Sequence, residues 1–207
     1  MDPLVGYLRA HRWARRSLSA SSVVLVMVAV GLIGYPVFTN VYEDWLQDRL
    51  GRQLSSKGLA DRYRQRSLGD GDPLTDIKIP KLGVSTTVVE GTSSGALRAG
   101  AGHYPQSPLP CETGNVAIAG HRTTYGKPFA DVDRLVVGDT IALETPVGSC
   151  TYQVNRAPFV TQPNDWSVVA NNPANRTLTL TTCHPKGSAR QRLVVQATLV
   201  AQGGPTA

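Results

Sequence analysis

The stretch Arg176–Gly187, RTLTLTTCHPKG, alternates threonine with leucine and ends in a cysteine followed by a histidine. In a β-strand, side chains at positions i and i+2 share one face, and the side chain at i+1 lies on the other. Leu178 and Leu180 are therefore expected to face a core, which puts Cys183 on the outer face. His184 would then face the opposite way from Cys183. The alternation predicts a strand that presents one thiol away from the core.

The segment NVAIAGH, residues 115–121, obeys the same rule. Ile118 belongs to its apolar set, so Ala117, Ala119 and His121 are expected on the outer face. The two alanines are small enough to leave a groove there. This segment therefore predicts an imidazole on the same face of the sheet as the thiol.

The last predicted strand supplies a guanidinium. Leu193 and Val195 form its apolar set, which places Arg192 on the opposite, outer face. Cys183 and Arg192 stand on either side of an eight-residue connection, HPKGSARQ (184–191). A hairpin of that size would bring the two strands together, so the thiol, the imidazole and the guanidinium are predicted to share one face.

The rest of the sequence between 73 and 201 has the character of a single, mainly β domain. Short segments rich in Val, Ile, Thr and Leu are separated by clusters of Gly and Pro, with brief helices expected near 92–100 and 164–172. This pattern is typical of a closed or nearly closed β-barrel, or of a β-sandwich. The turn-rich LGDGDP before it indicates a domain boundary, and residues 202–207 are expected to form a tail.

The N-terminal part predicts a transmembrane anchor over residues 18–40. No charged residue occurs from Ser17 to Tyr42, and a bilayer-spanning helix needs about 20 apolar residues. A cleaved signal peptide is the alternative, but its apolar region is shorter and precedes a small-residue cleavage site, which this stretch lacks. Arginines before the span and acidic residues after it predict that segment 1–17 is cytoplasmic and the rest extracellular. Residues 41–72 are charged with helical spacing, and they are predicted to be a helical stalk or linker.

The net charge of +6 does not indicate a nucleic-acid-binding protein. Four arginines, at positions 9, 12, 15 and 16, flank the predicted membrane span, and the others are scattered rather than arranged along one face. We therefore expect a membrane protein that does not bind nucleic acid.

Three cysteines in an extracellular domain leave one unpaired. Cys111 and Cys150 both lie near turns and are candidates for a disulfide, which would leave Cys183 as the free thiol. All three could instead be reduced, or Cys183 could be a buried apolar side chain. A metal site is not expected, because no C-x-x-C or H-x-x-x-H spacing is present. His103 is the other histidine to consider, although it lies in a Gly- and Pro-rich loop.

At these residues the chain resembles the sortases, the membrane-anchored cysteine transpeptidases of Gram-positive cell envelopes. TLTTC (179–183) matches the family's TLxTC signature, and AGH (119–121) matches the strand end that carries its histidine. Arg192 stands nine residues after Cys183, where the family's arginine is expected. The resemblance covers roughly 74–200, and the GHRTTYG run and the anchor are most similar to class E sortases of actinobacteria.

The resemblance implies an eight-stranded sortase barrel, preceded by the membrane helix and the stalk. It implies cleavage of an LPxTG- or LAxTG-type sorting motif between Thr and Gly, and transfer of the acyl group to an amine of the cell-wall precursor. Cys183 would be the nucleophile, His121 the acid and base, and Arg192 the oxyanion partner, while Thr182 and Tyr104 would contact substrate. The implied partners are secreted proteins with a C-terminal sorting motif, and no cofactor or metal is expected. A pilin-polymerising sortase and an inactive envelope-binding module are the alternative functions.

Overall fold

The computed structural model describes residues 10–204, without the side chains of Pro36 and Lys57. Arg9, with the rest of the predicted cytoplasmic segment before residue 10, and tail residues 205–207 lie outside the described residues. The chain divides into two compact units, one ending at Thr39 and the other beginning at Asn40.

One long helix, α1 (Arg12–Leu54), runs through the predicted anchor and beyond both of its expected ends. Its most apolar window has a hydropathy of 2.1, and by length and composition the helix could cross a membrane. Apolar side chains along it are exposed; Leu32 and Ile33 are each 72% exposed.

Over residues 40–204, the second unit contains two further α-helices and nine β-strands. The helices are α2 (Lys57–Arg64) and α3 (Ser94–Ala99). The strands are β1 (Pro73–Ile79), β2 (Val84–Glu90), β3 (Ala101–His103), β4 (Gly114–Ala119), β5 (Thr140–Thr145), β6 (Gly148–Val154), β7 (Phe159–Thr161), β8 (Arg176–His184) and β9 (Gln191–Gly203). Single-turn 3-10 helices span Pro80–Leu82, Val132–Arg134 and Trp166–Val169. The brief helices expected near 92–100 and 164–172 thus correspond to α3 and to the Trp166–Val169 turn.

The strands close into a barrel of eight, as the resemblance implied. The sheet order is β6-β5-β1-β2-β3-β4-β8-β9, and pairing of β6 with β9 closes the ring. The long strand β9 makes this possible, since β7 pairs with its beginning and β6 with its end. Gln202 and Gly203 pair with β6, so the barrel runs two residues beyond the predicted boundary at 201.

The apolar residues that strand alternation predicted to face inward do form the barrel core. Leu178 and Leu180 on β8 are almost completely buried, and so are Val116 and Ile118 on β4 and Val195 on β9. Because each strand turns one face inward, every second residue joins this core and the intervening residues lie on the outer wall.

The segment predicted as a stalk or linker, 41–72, packs onto the barrel instead. Leu50 packs with Val89 and Ala96, and Tyr63 packs with Leu74. The prediction of a stalk took the low apolar content as evidence against burial. A few spaced apolar residues in this segment are enough for it to pack, because the outer wall of the barrel already has apolar side chains that they can contact.

Polar contacts fix the same segment to the barrel. The Gln47 amide donates to the carbonyls of Thr87 (3.1 Å) and Ala99 (2.6 Å) and accepts from the Thr87 amide (2.7 Å). Thr87 needs these partners because β3 begins opposite Val88, one residue too late to pair with it. One glutamine therefore takes the place of a missing strand residue.

Glu43 on α1 lies against the loop that follows β4. Its side chain is buried, and its carboxylate sits so close to Gly126 that a methyl group there would lie 2.3 Å from an oxygen. Gly126 also has a φ of +64°, so this position favours glycine on both grounds. Burial, with a smaller contribution from Asp44, raises the pKa of Glu43 to about 7.

Candidate active site

Cys183 lies near the end of β8, between β4 on one side and β9 on the other. Cys183 and Arg192 are direct partners in the antiparallel β8–β9 register. Arg192 Nη1 lies 3.7 Å from Cys183 Sγ, within hydrogen-bonding distance for a sulfur acceptor. The thiol is half-buried. The hairpin expected from the eight-residue connection thus brings thiol and guanidinium into contact.

The Arg192 guanidinium is held by its own hairpin. Nη1 also donates to the carbonyls of Ala189 and Gln191, both at 3.2 Å. Within residues 10–204, Nε and Nη2 of this guanidinium have no hydrogen-bond partner. A fork anchored at one nitrogen, with other donors unused, suits the binding of a carbonyl or an oxyanion.

The parallel pairing of β4 with β8 sets the position of His121. The ladder ends at Ala119 opposite Thr181, and Gly120 N still donates to Thr181 O at 3.1 Å. Continued by two residues beyond the end of β4, this register would put His121 beside Cys183, on a neighbouring chain segment roughly 5 Å away. Cys183 therefore has Arg192 on the β9 side, and the register predicts His121 on the β4 side.

The loop after His121 is tightly constrained. Phe129 N donates to His121 O at 3.1 Å, and the imidazole packs against the Tyr125 ring with centroids 5.3 Å apart. A methyl group at Gly120 would lie 2.5 Å from the Phe129 ring, so only glycine permits this close approach. Burial in this setting lowers the pKa of His121 below its ordinary value, because it disfavours the imidazolium.

Much of the outer face of β4 and β8 is covered, so the predicted groove beside Ala117 is wrong. Ala117 and Thr179 are fully buried. The Thr179 hydroxyl donates to Asn115 Oδ1 at 2.8 Å, and Ala117 N donates to Ser107 Oγ at 3.1 Å. Asn115 lies on this same face of β4, and its Nδ2 donates to the carbonyls of Val168 and Ala170, so a segment that the alternation does not describe lies against the face, while Cys183 at the end of β8 is half-buried.

Tyr104 and Thr182, the predicted substrate contacts, have different surroundings. The Tyr104 hydroxyl lies 3.1 Å from Thr181 Oγ1, so it contacts β8 two residues before Cys183. Thr182 is only 3% exposed, and its hydroxyl donates to Gly120 O at 2.7 Å. Thr182 therefore points to the opposite side from Cys183 and connects β8 to the His121 segment, and its contact with substrate stays a prediction.

The two other histidines considered lie elsewhere. His103 is buried, with Nδ1 2.9 Å from Glu90 Oε2 and Nε2 2.9 Å from Pro108 O. It is fully engaged in this polar cluster and is not a neighbour of Cys183 along the sheet. His184 Nδ1 lies 2.9 Å from Arg122 Nη1. Arg122 is buried and follows His121 directly, and sequence reasoning did not single it out.

Cys111 and Cys150 form a disulfide with a Cα–Cα distance of 5.5 Å, and Cys183 is free. Over residues 10–204, no three His, Cys, Asp or Glu side chains converge as a metal site would require. The chemistry available at this face is therefore that of a thiol in contact with a guanidinium, with an imidazole expected on the other side of the thiol from the β4–β8 register.

The sequence matches a family model, that of the sortase domain, over residues 77–200. Among curated proteins it is similar to sortase SrtE1 of Streptomyces coelicolor, at 33% identity over 177 residues. That alignment covers 79% of this chain and 50% of the relative, so the chain spans about half the length of this relative.

Solved sortase structures have the same fold. A sortase D5 transpeptidase from Clostridium perfringens gives a TM-score of 0.67 at 31% identity, covering 77% of this chain and 98% of the other. Sortase E from Streptomyces avermitilis gives a TM-score of 0.60 at 36% identity, covering 66% and 93%. Both structures are thus similar to this chain in sequence as well as in fold.

Proposed function

The chain belongs to the sortase family, and from that premise we propose that it is a membrane-anchored cysteine transpeptidase of class E type. Its substrates are secreted proteins with an LPxTG- or LAxTG-type motif, cleaved between Thr and Gly. The acceptor is an amine of the peptidoglycan precursor. The observation that carries the proposal is the pairing of Cys183 with Arg192 across β8 and β9; His121, two residues past the end of β4, is where the continued β4–β8 register would meet Cys183.

The first half of the reaction is acylation. The Cys183 thiolate attacks the carbonyl carbon of the motif's Thr, and an S–C bond forms as the carbonyl oxygen gains negative charge. The unpartnered donors of Arg192 stabilise that oxyanion, a charge that exists only after attack. His121, as imidazolium, gives its proton to the Gly nitrogen as the C–N bond breaks. The products are a thioacyl enzyme and a free C-terminal fragment.

The second half transfers the acyl group. An incoming amine attacks the thioacyl carbon, and neutral His121 takes a proton from the amine nitrogen. The S–C bond breaks, a new amide forms, and Cys183 leaves as thiolate. The same imidazole thus acts as acid and then as base, and the enzyme returns to its starting protonation state.

The N-terminal helix would hold the catalytic domain at the membrane. An exposed apolar helix near the N-terminus supports attachment to a membrane. The positive flank before it supports a single-pass protein with a cytoplasmic N-terminus and an extracellular catalytic domain. There the secreted substrate and the cell-wall precursor are both accessible.

The test is a peptide assay with the full-length chain purified in detergent. Fluorogenic peptides containing LPxTG and LAxTG are incubated separately with and without an amine acceptor, and the products are identified by mass spectrometry. We expect cleavage between Thr and Gly, an amide product with the acceptor, and no reaction with Cys183→Ala.

Other outcomes would decide between the alternative functions. Product only with a lysine side chain as acceptor would support a pilin-polymerising enzyme. If neither peptide is cleaved and Cys183→Ala behaves as the wild type does, the enzymatic proposal is wrong and a binding role is left.

A further inference from the structure

Arg122 is the only buried arginine among residues 10–204, with 4% of its surface exposed. It directly follows His121 in the chain, and its side chain is buried whereas that of His121 is half-buried. A buried guanidinium is costly unless its donors are satisfied, so its contacts show what keeps it there.

The guanidinium joins three segments of chain. Nη1 donates to Cys183 O (3.4 Å) and to His184 Nδ1 (2.9 Å), at the end of β8. Nε donates to Ala130 O at 3.3 Å, and Nη2 forms an ion pair with Asp133 at 3.1 Å. One side chain thus links the His121 loop, the Cys183 strand end and the 130–133 segment.

The bond to Cys183 O occupies a defined place in the β4–β8 ladder. Gly114 N donates to Asn175 O at the start of this pairing, and Gly120 N donates to Thr181 O at its end, both across a spacing of 61 residues. The same spacing would next pair the amide of Arg122 with Cys183 O. That backbone bond is absent from the described hydrogen bonds, and the Arg122 guanidinium donates to the same carbonyl instead.

The contact also defines the state of His184. A guanidinium can only donate, so His184 Nδ1 must accept through its lone pair. His184 is therefore a neutral imidazole with its proton on Nε2 in this arrangement. The histidine adjacent to the thiol therefore serves as a hydrogen-bond acceptor for Arg122.

We propose that Arg122 is a positioning residue that extends the β4–β8 register past the end of β4 and so fixes Cys183 relative to His121. The inference rests on the proposed function in that it assigns the Cys183–His121 pair to the reaction. Beyond Gly120 no ladder bond joins the two chain segments that carry these residues, and the guanidinium supplies the connection. A displacement of about 1 Å at such a pair can cost on the order of 10²-fold in rate.

The test uses Arg122→Lys and Arg122→Gln in the full-length chain, with Arg134→Gln as the matched control. Arg134 is exposed and near the same segment, and its one ion pair is with Asp131. We expect both Arg122 variants to lower kcat by at least about tenfold with little change in KM, since substrate contacts remain. Arg134→Gln should match the wild type. Wild-type kcat in both Arg122 variants would overturn the proposal.

A second measurement needs no substrate: the rate of Cys183 alkylation by iodoacetamide as a function of pH, without reductant. If Arg122 acts by setting Cys183 against His121, Arg122→Gln changes this profile in the wild type but not in a His121→Ala background. An equal change in both backgrounds would mean that Arg122 does not act through the pair, and the proposal would fail. If the wild type cleaves no peptide, only the proposed function fails, since this comparison still stands.

A further pair of variants, at His184, controls for the possibility that the Arg122 variants do not fold. His184→Asn keeps an acceptor where Nδ1 lies, whereas His184→Ala removes it. We expect the asparagine variant to retain the wild-type alkylation profile and the alanine variant to shift it toward that of Arg122→Gln. The reverse order, or no difference between the two, would count against the connection through Arg122.

Discussion

Cys183 and Arg192 face each other as register partners on adjacent antiparallel strands, and Arg192 Nη1 lies 3.7 Å from the Cys183 sulfur. Their spacing is therefore set by the barrel's own hydrogen-bond ladder, not by flexible loops. A site on paired strands is held more rigidly than one on loops, which suits chemistry that depends on orientation.

Replacing Arg192 by lysine should reduce kcat by about 10²–10³-fold, the usual effect of losing an oxyanion donor. An ammonium cannot both hold the hairpin carbonyls and present further donors to substrate, as the guanidinium fork can. Arg190→Lys, an exposed position on the same connection, is the control and should keep full turnover. Peptide cleavage kinetics provide the measurement, and near-wild-type turnover for Arg192→Lys would remove Arg192 from the mechanism.

His121 should titrate below the ordinary histidine pKa of roughly 6.5, because burial disfavours its charged form. At neutral pH most molecules then carry a neutral imidazole, and only a minority hold the imidazolium that acylation requires. An NMR titration of the histidine ring protons, assigned with His121→Gln, measures this directly. An inflection at or above 6.5 for His121 would contradict the burial argument.

Thr182→Val should lower the free energy of unfolding by about 1–3 kcal/mol. Valine keeps the shape of the side chain but leaves the buried Gly120 carbonyl without the hydroxyl that donates to it at 2.7 Å. Thr182→Ser retains that hydroxyl and is the control. Urea unfolding of the three proteins tests this, and equal stability of the valine and serine variants would show that the hydrogen bond does not matter.

Glu43→Gln should stabilise the protein at pH 8 but much less at pH 5. The folded pKa of Glu43 is about 7, above the ordinary value of 4.5, so ionisation opposes folding. Wild-type stability contributed by this group is present below pH 4.5 and is lost as pH rises to 7, while glutamine does not ionise. Thermal unfolding midpoints, followed by near-ultraviolet circular dichroism, should separate by at least ~2 °C at pH 8.

Asp48→Asn, exposed on the same helix, provides the comparison for that experiment. A wild-type midpoint that does not fall relative to Glu43→Gln between pH 5 and pH 8 would mean that Glu43 is not buried against the Gly126 loop.

The direction of the functional side chains could be predicted from the sequence because strand alternation is a local property. Leu178 and Leu180 fix which face of β8 lines the barrel core, and that choice determines where Cys183 points. Pairing across β8 and β9 followed from a short connection. These inferences needed no knowledge of which other parts of the chain lie nearby.

What could not be predicted depends on contacts between distant segments. Nothing in the alternation of β4 and β8 indicates that the segment with Val168 and Ala170 bonds to Asn115, or that Ala117 and Thr179 are buried. Packing of Leu50 and Tyr63 on the barrel likewise depends on an apolar wall that exists only after the strands have closed. Sequence spacing along residues 41–72 could show a helix but not its partner.

Arg122 was missed although a local signal was available. If His121 faces outward at the end of a strand, the next residue faces inward, and an arginine that faces inward must be paired. Because most arginines are solvated, Arg122 was not considered as a buried residue. An inward-facing charge beside a predicted functional residue is thus worth testing for a buried role.

The Cys111–Cys150 disulfide has a practical consequence for quantifying this protein. With two of the three cysteines joined in a disulfide, one thiol remains, and it is the proposed nucleophile. Under non-reducing conditions, the moles of a thiol-specific label bound per mole of chain therefore count competent molecules directly. Turnover numbers can then be expressed per active molecule, so a variant with altered chemistry is distinguishable from a sample that is partly inactive.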